Sequence, residues 1–225
     1  MNIELSLLNH LLNFRLFQGL SRNELLQLAG NTKFGFMKQG SGKVIVKEGT
    51  VCNQLYFLIS GSLELITRSD DGGYTLSEQL SAPWMLQPEA LFGAQPRYSS
   101  TYRTIGDCHF IILSKDEVLR LLDDFLIIRL NLLNIFSTLA QKRATQQWRR
   151  APQSLRERFI RFLLQRCIYP AGPKELRILM TRLADELGDS RLDTSRMLNQ
   201  LQTEEMLTLH RGRISIPSLE KLLQG

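Results

Sequence analysis

Residues 180–217 constrain the fold of this chain more than any other stretch. The spacing of leucine and alanine predicts a helix that ends at Gly188, and a second helical pattern begins after Asp189-Ser190. Ala184 is small enough for two helices to cross closely, Gly188 suits a left-handed backbone, and Ser190 can cap the second helix. The stretch therefore predicts a helix-turn-helix.

The second helix presents a face whose side chains suit the DNA major groove. Arginine can pair with guanine O6 and N7, asparagine can pair with adenine, and leucine can touch a thymine methyl. The predicted DNA-reading residues are Ser190, Arg191, Leu192, Ser195, Arg196 and Asn199.

A basic hairpin follows the two helices. Residues 207–216 alternate like two short strands that turn at Arg211-Gly212, with Arg213 just beyond the turn. We predict a wing whose Arg211 and Arg213 touch phosphates. The alternative for the helix pair alone is an amphipathic pair with a solvated basic face, but the ordered series of glycine turn, arginine-bearing helix and basic hairpin favours DNA binding.

The charge distribution also separates the last third from the rest. Residues 140–225 hold 16 Lys and Arg against 9 Asp and Glu, whereas residues 1–139 hold 12 against 13. This asymmetry indicates a polyanionic partner for the C-terminal part only.

The middle of the chain shows a different periodicity. Residues 34–113 contain short runs rich in β-branched and aromatic residues, separated by glycine turns, which predicts a small antiparallel barrel or roll. The runs are Val44–Val46, 55–59, 63–66, 102–105 and 110–113, and the glycine turns are at Gly49, Gly61 and Gly72-Gly73.

A long helix is predicted from about Asp124 to Arg149, on the order of 39 Å. Ile128, Leu132, Ile135 and Leu139 follow the spacing of a coiled-coil seam and are the predicted dimer interface. Leu126, Leu130, Leu133 and Ala140 lie on an adjoining face. Two apolar faces need two partners, namely the chain's own roll and a second copy, whereas the alternative is a helix buried inside a monomer.

This order of elements resembles the superfamily of the cyclic-AMP receptor protein and the fumarate-nitrate regulator. Three stretches carry the resemblance: 16–21 (LFQGLS), 46–61 with its VKEG and LYFLISG segments, and the winged helix. Residues 88–93 (PEALFG) lie where family members keep a short helix between strands. The resemblance implies a homodimeric transcription regulator with an N-terminal sensory roll, a dimerising helix and a C-terminal DNA-binding domain.

The predicted fold class is therefore α+β. It comprises a double-stranded β-helix (jelly roll) of the cyclic-nucleotide-binding-like type in residues 1–123, a long dimerisation helix in residues 124–150, and a winged helix-turn-helix in residues 151–225. The expected partners are a palindromic duplex DNA, a second copy of the chain and RNA polymerase, and no membrane is expected.

The resemblance also locates a ligand pocket in the roll, which departs from the family pattern. Cyclic-nucleotide binders of the family use a Gly-Glu pair for the phosphate and ribose and an Arg-Ser pair for the phosphate. Aligning Arg103 and Cys108 with the family places Gln87-Pro88 and Tyr98-Ser99 at these pairs. The predicted pocket is degenerate and comprises Gln87, Pro88, Glu89, Arg97, Tyr98 and Ser99. Cyclic AMP is not the expected ligand, and another small-molecule effector stays open.

Other chemistries receive little support from the sequence. Gly40 to Lys43 lacks the first glycine and the Ser or Thr of a phosphate-binding loop. The three histidines are far apart and the three cysteines show no metal-ligand spacing, so we expect no enzyme and no metal. The oxygen-sensing branch of the resembled family holds an iron-sulfur cluster through clustered N-terminal cysteines, and no cysteine precedes Cys52, so the resemblance implies no cluster here. Haem ligation through His109 is the alternative to an edge histidine. No signal peptide or membrane span is recognised, and a reducing cytoplasm is the expected location.

One competing function stays open. In it, the roll binds a partner or a small molecule and the basic winged helix contacts protein instead of DNA. The two functions differ in the salt dependence of binding, which is steep for DNA.

Overall fold

The computed structural model describes residues 3–148 and 150–224. The chain divides into two compact units. The first comprises Met1–Leu63, Ser81–Ser99 and Arg103–Trp148, and the second comprises Glu64–Leu80, Ser100–Tyr102 and Arg149–Gly225. The sequence suggested continuous domains, whereas the second unit also takes in residues 64–80 because a strand from that segment pairs within it.

The first unit contains four α-helices, α1 (Ile3–Leu11), α2 (Arg22–Asn31), α3 (Lys115–Asp124) and α4 (Leu126–Gln147). Two serine caps start α2 and α3. Ser21 forms a capping box with Glu24, and the Ser114 hydroxyl accepts a hydrogen bond from the Glu117 amide. The predicted end of the long helix at Arg149 lies outside the described residues. No helix among the described residues is both long and apolar enough to cross a membrane.

The strands in the middle of the chain differ from the predicted runs in number, and two of them each join two predicted runs. They are β1 (Gly35–Gln39), β2 (Val44–Val46), β3 (Gln54–Arg68), β4 (Tyr74–Ser81), β5 (Trp84–Met85) and β6 (Thr101–Ser114). β6 pairs with β1, β2 and β3, while β5 pairs with β3. The prediction of an antiparallel roll is confirmed.

The prediction of a turn at Gly61 is wrong. β3 continues through this residue, which has φ +96°, and a Cβ there would lie 2.5 Å from the Asp107 carbonyl oxygen. The glycine is therefore required by the close approach of β6, and it does not end the strand. For the same reason the runs 55–59 and 63–66 form one strand.

The second unit contains α5 (Leu155–Arg166), β7 (Lys174–Ile178), α6 (Met180–Leu187), α7 (Arg191–Thr203), β8 (Thr208–His210), β9 (Arg213–Ile216) and α8 (Leu219–Gln224). β4, whose residues up to Leu80 belong to this unit, joins its sheet, and the strand order within the unit is β4-β7-β9-β8. β4 pairs antiparallel with β7, and β7 pairs with β9. The helix-turn-helix and the two-stranded wing predicted for residues 180–217 are both present.

One apolar core holds this second unit together. Leu76 of β4 and Leu176 of β7 are partners in register and are both buried. They pack with residues of every helix of the unit. The fully buried members of this core are Phe159, Leu163, Leu176, Leu183, Leu198, Leu219 and Leu222.

A buried ion pair lies two residues from that contact. The Lys174 Nζ is 3.5 Å from a Glu78 carboxylate oxygen, and both side chains are almost completely buried. The amides of Ile168 and Tyr169 donate to the same carboxylate, while Lys174 also donates to the Ala171 carbonyl oxygen. Burial raises the pKa of Glu78 above its ordinary value, although these donors offset part of the effect.

We expect Lys174→Met to lower the free energy of unfolding by about 3–5 kcal/mol, because it leaves a buried carboxylate without its cation. The double variant Glu78→Leu/Lys174→Met should recover most of that loss. Urea denaturation measures both. The exposed Lys38–Asp107 pair provides the control, since Lys38→Met should change stability little. A Lys174→Met variant as stable as the wild type would contradict the burial of this pair.

Candidate nucleic-acid interface

The turn between α6 and α7 is fixed by its own backbone. Gly188 adopts the left-handed conformation with φ 62°, and the Asp189 amide donates to the Ala184 carbonyl oxygen. The Ser190 hydroxyl then accepts a 3.0 Å hydrogen bond from the Asp193 amide and caps α7. The predicted glycine turn and serine cap are therefore both found.

An arginine from α5 holds the same turn from outside. Arg158 donates to the carbonyl oxygens of Leu187 and Gly188 at 3.0 and 3.1 Å, and it forms an ion pair with the Asp189 carboxylate. These bonds satisfy carbonyl groups that the end of α6 leaves without helical partners. Sequence reasoning missed Arg158, because it lies about 30 residues from the turn and no spacing rule connects them.

The predicted reading face of α7 is exposed as one surface. Thr194, Leu198 and Leu201 point into the core. On the opposite side Arg191, Leu192, Arg196 and Asn199 are exposed, and Ser195 is half-buried. Because residues at spacings of three, four and seven share one side of a helix, Leu192, Ser195, Arg196 and Asn199 form one continuous surface, which we call the reading face. Arg191 borders it.

Polar contacts order part of this surface. The Asp193 carboxylate accepts the Ser190 hydroxyl at 2.6 Å with one oxygen and an Arg196 guanidinium N–H at 3.3 Å with the other. The Asn199 amide donates weakly to the Ser195 hydroxyl at 3.4 Å. Arg196 is thus positioned at the helix surface by its neighbour one turn earlier.

The wing carries two arginines in different environments. Arg211 is exposed beside Gly212, which has φ 69° and forms the tip of the β8–β9 hairpin. Arg213 is half-buried, and its guanidinium lies 3.8 Å from the Glu175 carboxylate. Glu175 also pairs with Arg177 of β7 at 2.8 Å. Arg177 is exposed beside Arg213 in the sheet and was missed, because β7 was not predicted.

Several other arginines of the basic C-terminal third hold this unit together. Arg156 pairs with Glu204 at 2.7 Å, and Arg166 pairs with Glu186 at 2.8 Å while its guanidinium stacks over Phe162. The charge excess therefore overstates the number of cations available to a polyanion. The reading face and the wing tip carry the more exposed ones.

In the first unit, two of the predicted pocket residues meet. The Gln87 side-chain amide donates to the Ser99 hydroxyl at 2.6 Å, and its carbonyl oxygen accepts the Ser99 amide at 3.2 Å. Gln87 is buried and has a left-handed backbone with φ 34°, a conformation that favours glycine. The side chain of Gln87 is thus satisfied by the protein itself.

The other pocket residues point to separate partners. Tyr98 is buried and its hydroxyl donates to the Gln54 carbonyl oxygen at 2.9 Å, while Arg97 donates to the Gly49 carbonyl oxygen at 2.7 Å. Pro88 starts a short 3-10 turn, Pro88–Ala90, and Glu89 is half-buried within it. The structure brings Gln87 and Ser99 together, and it directs the Arg97 and Tyr98 side chains to other carbonyl groups.

The seam predicted on the long helix is partly buried in the chain itself. Of the four predicted interface residues, Ile128 and Leu132 are 0% and 5% exposed, so this part of the seam is covered by the chain itself. The reason is the packing of α4 on residues 15–17, which is anchored by Asn131 donating to the carbonyl oxygens of Leu16 and Gln18. Ile135 and Leu139 are half-buried.

The adjoining face of α4 is the exposed one. Leu126, Leu130 and Leu133 are 64%, 46% and 55% exposed, and the same alternation of four and three continues through Ser137 to Ala140, both exposed. We call these five residues the outer seam. Its spacing is that of a coiled-coil contact.

Groups that could support metal or nucleophilic chemistry are few. His109 Nδ1 is 2.8 Å from the Ser60 hydroxyl on the neighbouring strand. Within residues 3–148 and 150–224, no group of three or more metal-ligating side chains is found. Burial raises the pKa of Cys52, and it raises the pKa of Cys167 to about 12, so both thiols stay protonated at neutral pH.

Two family models match the chain. One is the cyclic nucleotide-binding domain, over residues 38–125, and the other is the Crp-like helix-turn-helix domain, over residues 157–224. The first covers most of the roll and α3, and the second covers the elements from α5 onward. No curated protein matches the chain.

Solved structures share the fold. The catabolite activator protein of Thermus thermophilus is 20% identical over 94% of this chain and 97% of its own, with a TM-score of 0.50. A transcriptional regulator of the crp/fnr family from Eubacterium rectale is 23% identical over 96% of this chain and 100% of its own, with a TM-score of 0.51. The sensor domain of the regulator DNR from Pseudomonas aeruginosa is 21% identical over 68% and 100%, with a TM-score of 0.55.

The match of both family models, in the order in which the roll and the winged helix occur, confirms the predicted fold class and identifies a regulator, not an enzyme. The chain belongs to the CRP/FNR superfamily of transcription regulators.

Proposed function

We propose that this protein is a homodimeric regulator that binds a palindromic DNA through α7 and the wing, and that its roll does not take cyclic AMP. The observation that carries the proposal is the exposed reading face of α7. Asp193 positions its Arg196 side chain, and Arg158 holds the turn before α7 through a hydrogen bond to the Gly188 carbonyl oxygen. RNA polymerase stays a predicted partner.

The side chains of the reading face divide between base and backbone contacts. Arg196 can reach guanine O6 and N7, and Asn199 can pair with adenine. Arg191 in the first turn can likewise reach a guanine, whereas Arg211 at the wing tip suits a phosphate contact.

We expect Arg196→Ala to cost about 1–3 kcal/mol on the best palindrome and to relax specificity at one base position. Arg211→Ala should instead weaken binding to all sequences alike and reduce the salt slope by about 1, because one phosphate contact is lost. Arg213→Ala should do the same to a smaller extent, since Glu175 already neutralises part of its charge.

Binding of selected and scrambled duplexes at several salt concentrations measures these effects. Arg156→Ala is the matched control, because this arginine is paired with Glu204 and should leave specificity unchanged. Unchanged affinity of Arg196→Ala for the palindrome contradicts the reading face. If no duplex is bound in a salt-dependent way, the competing function is favoured, in which the winged helix contacts protein.

The proposed dimer uses the outer seam of α4. Three exposed leucines on one stripe are costly in water, and burying a leucine contributes about 1.5–3 kcal/mol. α4 is 22 residues long, or about 33 Å, which is enough for three heptads of a two-helix contact. A two-fold axis through this seam would relate the two copies of α7 in the dimer. To read the two half-sites of a palindrome, these copies must lie about 34 Å apart, one turn of DNA.

We expect Leu130→Glu with Leu133→Glu to convert the dimer to a monomer, because two buried carboxylates per chain would face each other across the seam. Sedimentation velocity measures the change, and binding to the palindrome should fall with it. Leu26→Glu with Leu119→Glu is the matched control, since these leucines are similarly exposed on α2 and α3. An unchanged dimer in the first variant excludes the outer seam as the interface. Leu132→Glu should destabilise the monomer instead, because this residue is buried in its own unit.

The proposal that the roll does not take cyclic AMP rests on Gln87 and Tyr98. In the register of the family, the position of the phosphate-binding arginine holds Tyr98, whose hydroxyl is directed to the Gln54 carbonyl group. Gln87 and Ser99 already satisfy each other, so a ligand would have to break two hydrogen bonds before making its own. Pro88 has no amide proton to offer a phosphate.

We expect the dissociation constant for cyclic AMP and cyclic GMP to be millimolar or weaker. The absence of one charge-assisted phosphate contact weakens the binding free energy by about 1.5–3 kcal/mol, and the absent amide and ribose contacts weaken it further. Calorimetric titration measures it. Gln87→Gly/Pro88→Glu/Tyr98→Arg, which restores the family pattern, is the positive control and should bind more tightly than the wild type. A wild-type dissociation constant in the low micromolar range contradicts the register.

A further inference from the structure

Leu192 is the apolar member of the reading face, whose other side chains are polar. It is 59% exposed, it lies in the first turn of α7, and it is absent from the core of the second unit. Ser195 and Arg196 follow it at spacings of three and four, and Asn199 follows at seven. Leu192 therefore lies at the N-terminal end of the face, on the same side of α7 as the polar side chains that follow it.

An exposed leucine at this position has no structural role within the unit. Leu192 takes no part in the contacts that hold α7, because Asp193 binds Ser190 and Arg196, and the packing of the helix uses Leu198 and Leu201. A phosphate offers nothing apolar to a leucine. Among the groups that base pairs present in the major groove, the C5-methyl of thymine is the apolar one.

We propose that Leu192 reads the 5-methyl group of a thymine, so that each half-site carries a T·A pair under the first turn of α7. Residues four apart lie about 6 Å apart along a helix, and base pairs are spaced by about 3.4 Å. The thymine is therefore within about two base pairs of the guanine contacted by Arg196. This inference rests on the proposed DNA-binding function and specifies the sequence class of the operator.

Replacing thymine by deoxyuridine tests the contact directly, since only the methyl group is removed. The palindrome is first selected from random duplexes with the wild-type protein. Each thymine of the selected site is then replaced in turn, symmetrically in both half-sites. At one thymine position, the replacement should weaken binding about fourfold for each half-site, the value expected for one buried methyl group. Replacement in both half-sites should weaken binding about fifteenfold.

The variant Leu192→Ala completes a double-mutant cycle. It should bind the thymine site more weakly than the wild type, and it should no longer distinguish thymine from deoxyuridine at that position. Leu179→Ala is the matched control, because Leu179 is also an exposed leucine of this unit but precedes α6. It should keep the full sensitivity. Since Leu192 is at the surface, its replacement should leave the thermal melting temperature unchanged.

The outcomes separate this inference from the proposed function. If no palindrome is selected, or binding is independent of salt, DNA reading by α7 itself is refuted and the inference falls with it. If the dimer binds its palindrome but no thymine is sensitive to loss of its methyl group, only the role of Leu192 is overturned. The same conclusion follows if Leu192→Ala retains the sensitivity of the wild type.

Discussion

The buried pair of Glu78 and Lys174 sets the register on which the DNA-binding unit depends. The two residues face each other across β4 and β7, and each is satisfied by further hydrogen bonds to nearby backbone groups. A shift of one residue would turn these charges and the adjacent leucines to the opposite face of the sheet. Leu76 and Leu176 face each other two residues away. The register set by the ion pair therefore also sets the apolar surface of the sheet on which α6 and α7 pack. Its contribution is therefore to specificity of pairing more than to net stability.

The sequence predicted most accurately the features that depend on neighbours in the chain. The capping serines, the left-handed Gly188 and the exposed face of α7 follow from local spacing, because a helix end must satisfy its own amides and carbonyls within one turn. β7 was missed for the opposite reason. Its partner β4 lies about a hundred residues earlier, and Lys174 inside the strand looks like a surface residue until Glu78 is placed beside it. Arg158 and Arg177 were missed because nothing near them in the sequence identifies their partners.

The long helix shows a different limit of sequence analysis. Both of its apolar stripes have coiled-coil spacing, so periodicity alone cannot tell which stripe faces the chain's own roll. The choice is made by Asn131, whose amide binds two backbone carbonyl oxygens of residues 16 and 18 and turns Ile128 and Leu132 inward. Asn131, a polar residue within an apolar stretch, thus orients the helix, and the exposed stripe is the one available to a second copy.

Gln87 in the roll combines an unfavourable backbone conformation with two side-chain hydrogen bonds that oppose its cost. Gln87 keeps a left-handed backbone, which costs a non-glycine residue on the order of 1–3 kcal/mol. Its two hydrogen bonds to Ser99, at about 0.5–1.5 kcal/mol each, offset that cost within the protein. An external ligand would then be opposed by contacts that already stabilise the same conformation. On the proposed function, a cyclic nucleotide would therefore have to displace the hydrogen bonds between Gln87 and Ser99 before it could bind.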